Sequence, residues 1–492
     1  MKTAPPRNVV NWVLALATAA LLVLSFPRFN ITWFAPVALA PLLLAVTWER
    51  RPWRRFLLGW GCGIVYWFGV CYWIEFVLSY WGGLGDVEGW AVFSLFALAK
   101  GLHFAVFALL AGILMWRWWA IPAVAALWVA IEVTNGPLGF AWLALGNAGI
   151  NMGVPLRLAP VTGVYGISFV FAMLATALAV AAMGRPRREL LWLAVLPLIL
   201  LLPAMPKAER GKDAALLVQP DISESEEWTP ESVDAMQRGL VGLTLRAAAE
   251  EPKQPPSILV WPEVPAPLYY DEDPQFRAYA NGLARAAHAY LLTGVVGHTA
   301  AGAPTNSALL ISPQGLPVTR YDKVNLVPFG EFVPWPFGFA NKISNQMGDF
   351  AAGKRVVVSA VDGHKIGTFI CYESVFPDFV RKFANRGAEV LFNISNDGWF
   401  GKSAARWQHL NIVRMRAAEN RRWILRSTND GITATIDPAG RVRGTLPLYV
   451  RATSYTGFTY ISEKTLYTRW GNWFALLCAT IAIAGLVVER VA

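Results

Sequence analysis

Charged side chains make up only 15% of the 492 residues, against about a quarter in ordinary globular chains. That shortage excludes a disordered, solvent-swollen chain, which needs high charge and little apolar content. Histidine is scarcer still. The five present form no HExxH or other paired spacing, so the sequence offers no ligand set for a metal centre. Four cysteines are too few for a disulfide-stapled scaffold of this length. What is abundant is apolar: 55% of residues are hydrophobic, and 23 are Trp.

The scarcity of charge is uneven. Residues 1–204 hold 13 Lys/Arg and 6 Asp/Glu, whereas residues 205–492 hold 30 and 27. Most of the net charge of +10 therefore sits in the apolar part, where nucleic-acid binding is not its use. Eight apolar runs approach the roughly 20 residues that cross a bilayer: 9–26, 31–48, 56–80, 90–116, 119–133, 160–183, 189–204 and 472–489. The first resembles a secretory signal. It is long, however, lacks a cleavage site before Phe26-Pro27, and runs straight into a second apolar stretch, so it reads as a retained helix.

Basic residues should gather in alternate loops on the cytoplasmic side. Lys2 and Arg7, then Arg50, Arg51, Arg54 and Arg55, then Arg117, then Arg185, Arg187 and Arg188 fall at the N-terminus and after the second, fourth and sixth runs. The expectation is a multi-pass α-helical bundle of about eight helices with both termini cytoplasmic. Residues 1–204 supply seven helices, residues 212–465 an extracytoplasmic domain, and residues 472–490 the eighth helix. Glu75, Lys100, His103 and Glu132 fall inside these runs, where an ionisable group is costly. They are read as reaching the interface or bonding within the bundle.

Between Lys212 and Thr465 the periodicity changes. Nine β-rich runs, 214–219, 257–261, 290–296, 307–311, 356–361, 365–370, 389–394, 423–427 and 432–436, alternate with amphipathic segments near 231–250, 274–289, 375–386 and 403–421. This is the pattern of a layered α/β domain. Residues 316–336 read as a Pro-punctuated loop too long for a simple connection.

In such domains reactive groups collect where strands end. Glu263 follows the strand ending at Trp261, Cys371 follows Phe369-Ile370, and Lys323 follows the hairpin begun by Ser307–Ile311. Cys62, Cys71 and Cys478 lie in apolar runs, which leaves Cys371 without a disulfide partner in its domain. A free Cys is often merely a small buried hydrophobe. A nucleophilic one needs a base and a cation to supply thiolate. No His is placed to act as the base, so a carboxylate in a partly desolvated setting must be considered. Glu263, flanked by Trp261-Pro262 and Val264-Pro265, has that setting, although a solvated surface Glu would fit the sequence too. Lys323, which alone would read as a solvated Lys, could face a developing oxyanion. The three residue types together make a nucleophile, base and oxyanion set.

Trp261-Pro262-Glu263, then Tyr321-Asp322-Lys323-Val324-Asn325-Leu326-Val327-Pro328-Phe329-Gly330-Glu331, then Cys371-Tyr372-Glu373, resemble the Glu-Lys-Cys motifs of the nitrilase superfamily. Set in an eight-helix bundle with the domain inserted before the last helix, they are similar to its membrane-embedded branch, the apolipoprotein N-acyltransferases. The resemblance spans essentially the whole chain. It implies a nitrilase-like αββα sandwich and transfer of a fatty acyl group from a membrane phospholipid to the α-amine of a diacylglyceryl-cysteine lipoprotein. It also implies Glu263 as base, Lys323 as oxyanion stabiliser, Cys371 as nucleophile, and supporting roles for Glu331, Tyr372 and Glu373. Trp228 would be a substrate-loop Trp. Asp221 stands where the family leads one to expect Asn, and Asn393–Trp399 resembles a family segment of no assigned role. Neither a metal nor another cofactor is needed, since the donor ester supplies the driving force. A monomer in the bacterial inner membrane, with the catalytic domain in the periplasm, is expected. The apolar segments around Trp228 and Trp335–Phe339 would form the entrance to the site. Two other readings remain: a membrane-tethered amidase or nitrilase acting on a small amide, and a noncatalytic transporter or scaffold.

Overall fold

The computed structural model describes residues 7–207, 211–250, 254–263, 266–328, 330–332 and 350–491. The Trp335–Phe339 segment lies outside them. The chain divides into two units: residues 1–80, 84–205 and 470–492, and residues 81–83 and 206–469.

The first unit is helical. Three helices are long and apolar enough to cross a membrane: Asn8–Ser25, Asp86–Leu114 and Val164–Ala182. A fourth candidate, Pro52–Cys71 continued by Trp73–Trp81, bends by 59° at its break. The remaining expected runs take other forms. Residues 31–48 become a 3₁₀ turn, Thr32–Phe34, and a nine-residue helix, Ala40–Trp48. Residues 119–133 form a 13-residue helix, Ala120–Glu132. Most of residues 189–204 lies in a 15-residue 3₁₀ run, Arg187–Leu201, with Pro197 inside it. The last run is the helix Trp473–Val491. Apolarity set where helix-like segments fall, while proline and 3₁₀ geometry set their lengths.

Helices Pro52–Cys71 and Asp86–Leu114 meet through small residues. A Cβ added at Gly59 would lie 2.3 Å from the Phe104 carbonyl oxygen, and one at Gly63 2.8 Å from Gly101 Cα. Close backbone approach of this kind replaces the hydrophobic drive that is missing between helices in lipid. Lys100, at the centre of the second helix, is satisfied internally. Its Nζ donates to Asn135 Oδ1 and to the Phe140 carbonyl at 3.1 Å, and lies 5.2 Å above the Trp67 ring. Glu132 Oε1 accepts from Trp128 Nε1 at 3.1 Å and the Leu145 amide at 2.7 Å.

The second unit is the expected αββα sandwich. Its strands are β1 (Asp213–Gln219), β2 (Ile258–Val260), β3 (Tyr290–His298), β4 (Pro304–Ile311), β5 (Pro317–Asp322), β6 (Val358–Val361), β7 (His364–Ile370), β8 (Val390–Ser395), β9 (Ile424–Thr428), β10 (Ala434–Ile436), β11 (Val442–Thr445) and β12 (Ala452–Phe458). They form two six-stranded sheets ordered β12-β1-β2-β3-β4-β5 and β11-β10-β9-β8-β7-β6. Each has a parallel heart, β1-β2-β3 in one and β7-β8-β9 in the other, with antiparallel edges. Strands β8 and β9 are buried at every residue, as parallel strands covered on both faces must be. Ser427 Oγ in β9 donates to the Val218 carbonyl in β1 at 2.8 Å, tying one sheet to the other.

Two helices cover the first sheet, and each is capped by its own sequence. Thr229 closes a capping box with Ser232 ahead of Pro230–Ala249, and Asp273 accepts from the Gln275 and Phe276 amides ahead of Pro274–Ala287. Pro377–Asn385 and Ala405–Asn420 belong to the second layer. Each of the nine expected strand segments overlaps a strand, and five of them run one or two residues past an end of it. Three further strands lie outside those segments: β5 is the hairpin neighbour of β4, while β11 and β12 were not expected. Strand β5 occupies the start of what reads as the 316–336 loop, and β11 and β12 are edge strands with half-exposed polar residues, which lack the apolar alternation that marks a strand.

Candidate active site

Glu263, Lys323 and Cys371 come from three strand ends. Glu263 lies three residues beyond β2, Lys323 one beyond β5 and Cys371 one beyond β7. Glu263, Lys323 and Glu331 are bonded into one cluster. Lys323 is 1% exposed, and its Nζ donates to Glu331 Oε1 at 2.9 Å and Glu263 Oε1 at 3.4 Å. Asn306, in β4, donates through Nδ2 to the same two carboxylate oxygens at 2.6 Å each. The outer oxygens are held by backbone amides. Asn396 N–H donates to Glu263 Oε2 at 3.0 Å, and Val327 N–H to Glu331 Oε2 at 2.8 Å. Burial alone would lower the Lys323 ammonium, but the carboxylates of Glu263 and Glu331 outweigh it and hold the group above the usual lysine range. It is a permanent cation, fixed on two sides.

Cys371 is 6% exposed and opens a short 3₁₀ turn, Cys371–Val375. Its φ of 47° puts a non-glycine residue in the left-handed region, a conformation that costs about 1–3 kcal/mol and persists only when the surroundings enforce it. Burial, followed by the charge of Glu263, pushes the Cys371 thiol up, while Lys323 and a hydrogen bond from Ser395 oppose the rise. Sulfur attacks as thiolate, so its proton must pass to a neighbour first.

Glu373 is fully buried and ties the Lys323 loop to the Cys371 turn. Oε1 accepts from Tyr321 Oη at 2.6 Å, the Val324 amide at 2.8 Å and the Asn325 amide at 3.2 Å, and Oε2 accepts from the Ile370 amide at 2.8 Å. Burial pushes its carboxyl up to about 7 despite these donors. Tyr372 is buried, with its ring edge-to-face on Phe376.

Beneath the Cys371 turn lies a second buried network. Asp397 has no exposed surface. It takes two bonds from Arg426 Nη2, at 2.8 and 2.7 Å, and one from Ser395 Oγ at 2.9 Å. His409 Nδ1 is 3.1 Å from Asp397 Oδ1, and Nε2 is 2.8 Å from Ser374 Oγ and 3.1 Å from the Cys371 carbonyl oxygen. Burial works to raise Asp397, but the Arg426 guanidinium prevails and holds it well below the usual carboxylate range.

Two family models match the chain: carbon-nitrogen hydrolase over residues 217–458 and the apolipoprotein N-acyltransferase N-terminal domain over residues 18–177. The apolipoprotein N-acyltransferase of Geobacter metallireducens is 32% identical over 99% of this chain and 96% of its own length. The chain belongs to the apolipoprotein N-acyltransferase family. That of Azotobacter vinelandii is 34% identical over 97% of this chain and 95% of its own length. Among solved structures, an amidase variant from Nesterenkonia sp. with a covalent adduct on its active-site cysteine aligns at 17% identity and a TM-score of 0.41, covering 55% of this chain and 97% of the amidase.

Within this family member, the motif residues Glu263, Lys323, Glu331, Cys371 and Glu373 are linked by hydrogen bonds or charge. Trp228 stands apart from that cluster. It immediately precedes Thr229, the helix cap, and packs against the first sheet's core, which includes Leu240, Trp261 and Phe276. Asp221, the departure from the family pattern, has a φ of 53°, which Asp and Asn both tolerate. Sequence reasoning missed Asn306, Asn396, Asp397, His409 and Arg426. Asn306 lies inside a strand with no local signal. The 393–399 segment was visible as a motif, but its partners on β9 and the Ala405–Asn420 helix are known only from the fold.

Proposed function

We propose that the protein transfers a fatty acyl group from a membrane phospholipid to the N-terminal amine of diacylglyceryl-cysteine lipoproteins, through a thioester on Cys371. The observation that carries this reading is a buried thiol beside a carboxylate and a fixed ammonium, in a chain that matches N-acyltransferases over both of its units.

Glu263 takes the Cys371 proton as sulfur attacks the phospholipid ester carbonyl. The tetrahedral oxyanion faces Lys323 Nζ and the Tyr372 backbone N–H. Collapse breaks the ester C–O bond, and the lysophospholipid leaves with the proton from Glu263. In the second half, the lipoprotein amine attacks the thioester carbonyl and gives a proton to Glu263. The C–S bond breaks, the amide departs, and the proton returns to Cys371. This is ping-pong chemistry. Glu331 and Asn306 hold Lys323 and Glu263 in register, Glu373 positions the Lys323 loop, and Trp228 belongs to the substrate loop.

In this reading residues 1–204 and 472–490 anchor a monomer in the bacterial inner membrane with eight crossings, and residues 212–465 act in the periplasm. The 3₁₀ run of 15 residues supports a crossing in spite of its length, because at about 2.0 Å per residue it extends roughly 30 Å, the thickness of the hydrocarbon core. Apolar surroundings must keep water from the thioester, or the enzyme becomes a phospholipase.

The test uses the full chain in phospholipid vesicles with a diacylated lipopeptide, following the N-acyl product by mass spectrometry. The wild type should form it, Cys371→Ala should form none, and Trp228→Ala should slow it by about tenfold or more, a loss of about 1.4 kcal/mol. Release of free fatty acid without amide product, or full activity in Cys371→Ala, would contradict the reading.

A further inference from the structure

The His409 network is not used by the chemistry above, yet it touches the nucleophile's backbone. The peptide between Cys371 and Tyr372 is a rigid plane with its C=O and N–H on opposite edges. Its carbonyl oxygen lies 3.1 Å from His409 Nε2. Whatever fixes that carbonyl also fixes the direction of the Tyr372 N–H.

We infer that His409, backed by Asp397 and Arg426, is a positioning residue that sets the Cys371–Tyr372 peptide plane and so aims the Tyr372 N–H at the oxyanion of the acyl-transfer intermediates. This rests on the proposed thioester mechanism and deepens it.

The assignment follows from the neighbours. The Cys371 carbonyl can only accept, so His409 must carry a proton on Nε2 to bond it. That N–H also points toward Ser374 Oγ at 2.8 Å. With the proton on Nε2, Nδ1 and Asp397 Oδ1, 3.1 Å apart, share one N–H of Arg426 Nη2, which lies 3.2 Å from the ring nitrogen and 2.8 Å from the carboxylate oxygen. Burial, then the Arg426 charge, lowers the His409 imidazole against the pull of Asp397. Every member of the network is closed to solvent: Ser374, Asp397, His409 and Arg426 show no exposed surface. The scaffold is further constrained at Gly431, where an added Cβ would come within 2.4 Å of Asp397 Oδ2. Losing any one partner from such a network leaves a buried polar group unpaired, which is costly in a low-dielectric interior. The carbonyl that the network holds belongs to Cys371, the residue kept at a φ of 47°.

An oxyanion donor matters for attack on a carbonyl, where negative charge develops on oxygen. It does not matter for alkylation of the same sulfur, in which no oxyanion forms. The two reactions therefore separate positioning of Tyr372 N–H from general damage to the site. In the full chain in vesicles, His409→Ala should slow single-turnover acylation of Cys371 by phospholipid by about 10- to 100-fold, with the phospholipid concentration for half-maximal rate unchanged. Alkylation of Cys371 by iodoacetamide should stay within about twofold of the wild type. His409→Gln, whose amide N–H can reach the Cys371 carbonyl, should recover most of the acylation rate, whereas His409→Asn should not.

Equal losses in acylation and alkylation, an unchanged acylation rate in His409→Ala, or no advantage of Gln over Asn would overturn the inference. Should His409→Ala fail to fold, the Gln and Asn comparison carries the test. Absence of any phospholipid-derived thioester on wild-type Cys371, with normal alkylation, would instead reject the underlying mechanism.

Discussion

Lys323 illustrates how one side chain is set by others. It is buried between Glu263 and Glu331, and a buried cation survives only when paired and hydrogen-bonded on every side. Replacing it by Met removes an oxyanion donor and leaves two carboxylates facing each other across Asn306. Lys323→Met should lower kcat by about 10²–10³-fold, and rapid-quench measurement of Cys371 acylation checks this. A loss of less than tenfold would mean that Lys323 does not face the reacting carbonyl. The three motif residues were legible in the sequence because each follows a β-rich run. Asn306, which bridges both carboxylates, was not, since nothing about a polar residue inside a strand reveals that two distant loops close over it.

At the scale of elements, β7, β8, β9 and the Ala405–Asn420 helix are stitched together by Asp397 and Arg426. Because neighbouring charges depress Asp397, its contribution to stability is fully present above the ordinary aspartate value of 3.8 and is lost as pH falls below it toward the folded value. Asp397→Asn sets an amide N–H against Arg426 and strands a buried charge, a loss of roughly 3–5 kcal/mol. The melting temperature of the second unit should fall by roughly 10 °C at neutral pH, and its gap from the wild type should narrow when both are melted below pH 3.8. A gap that is independent of pH would exclude an ionised Asp397. The sandwich itself was readable from alternating strand and helix patterns. Its edge strands β11 and β12 were not, because they pair at the rim of the sheets without burying a face.

For the whole molecule, the sequence's scarce charge carries information about orientation. Ten of the 13 basic residues in 1–204 fall at the N-terminus and after the second, fourth and sixth apolar runs, which the proposed topology puts on the cytoplasmic side. Apolar runs alone overstate helix length, as the nine-residue Ala40–Trp48 helix and the bent Pro52–Trp81 pair make plain, so crossing number and sidedness need a separate test. All four native cysteines are buried, and a Cys371→Ala background removes the reactive one from thiol labelling. In intact cells an impermeant maleimide should label Gln314→Cys in the second unit but not Arg185→Cys, which should react only after the membrane is permeabilised. The reverse pattern would invert the proposed topology.

The central claim is that an acyl group passes through Cys371. Acyl-labelled phospholipid should be mixed with the membrane-reconstituted protein, and the peptide containing Cys371 analysed by mass spectrometry before and after a diacylated lipopeptide is added. The account predicts a labelled thioester on Cys371 that disappears as labelled N-acyl lipopeptide forms at the same rate. Active protein with no thioester, or a thioester that persists while product accumulates, would contradict it.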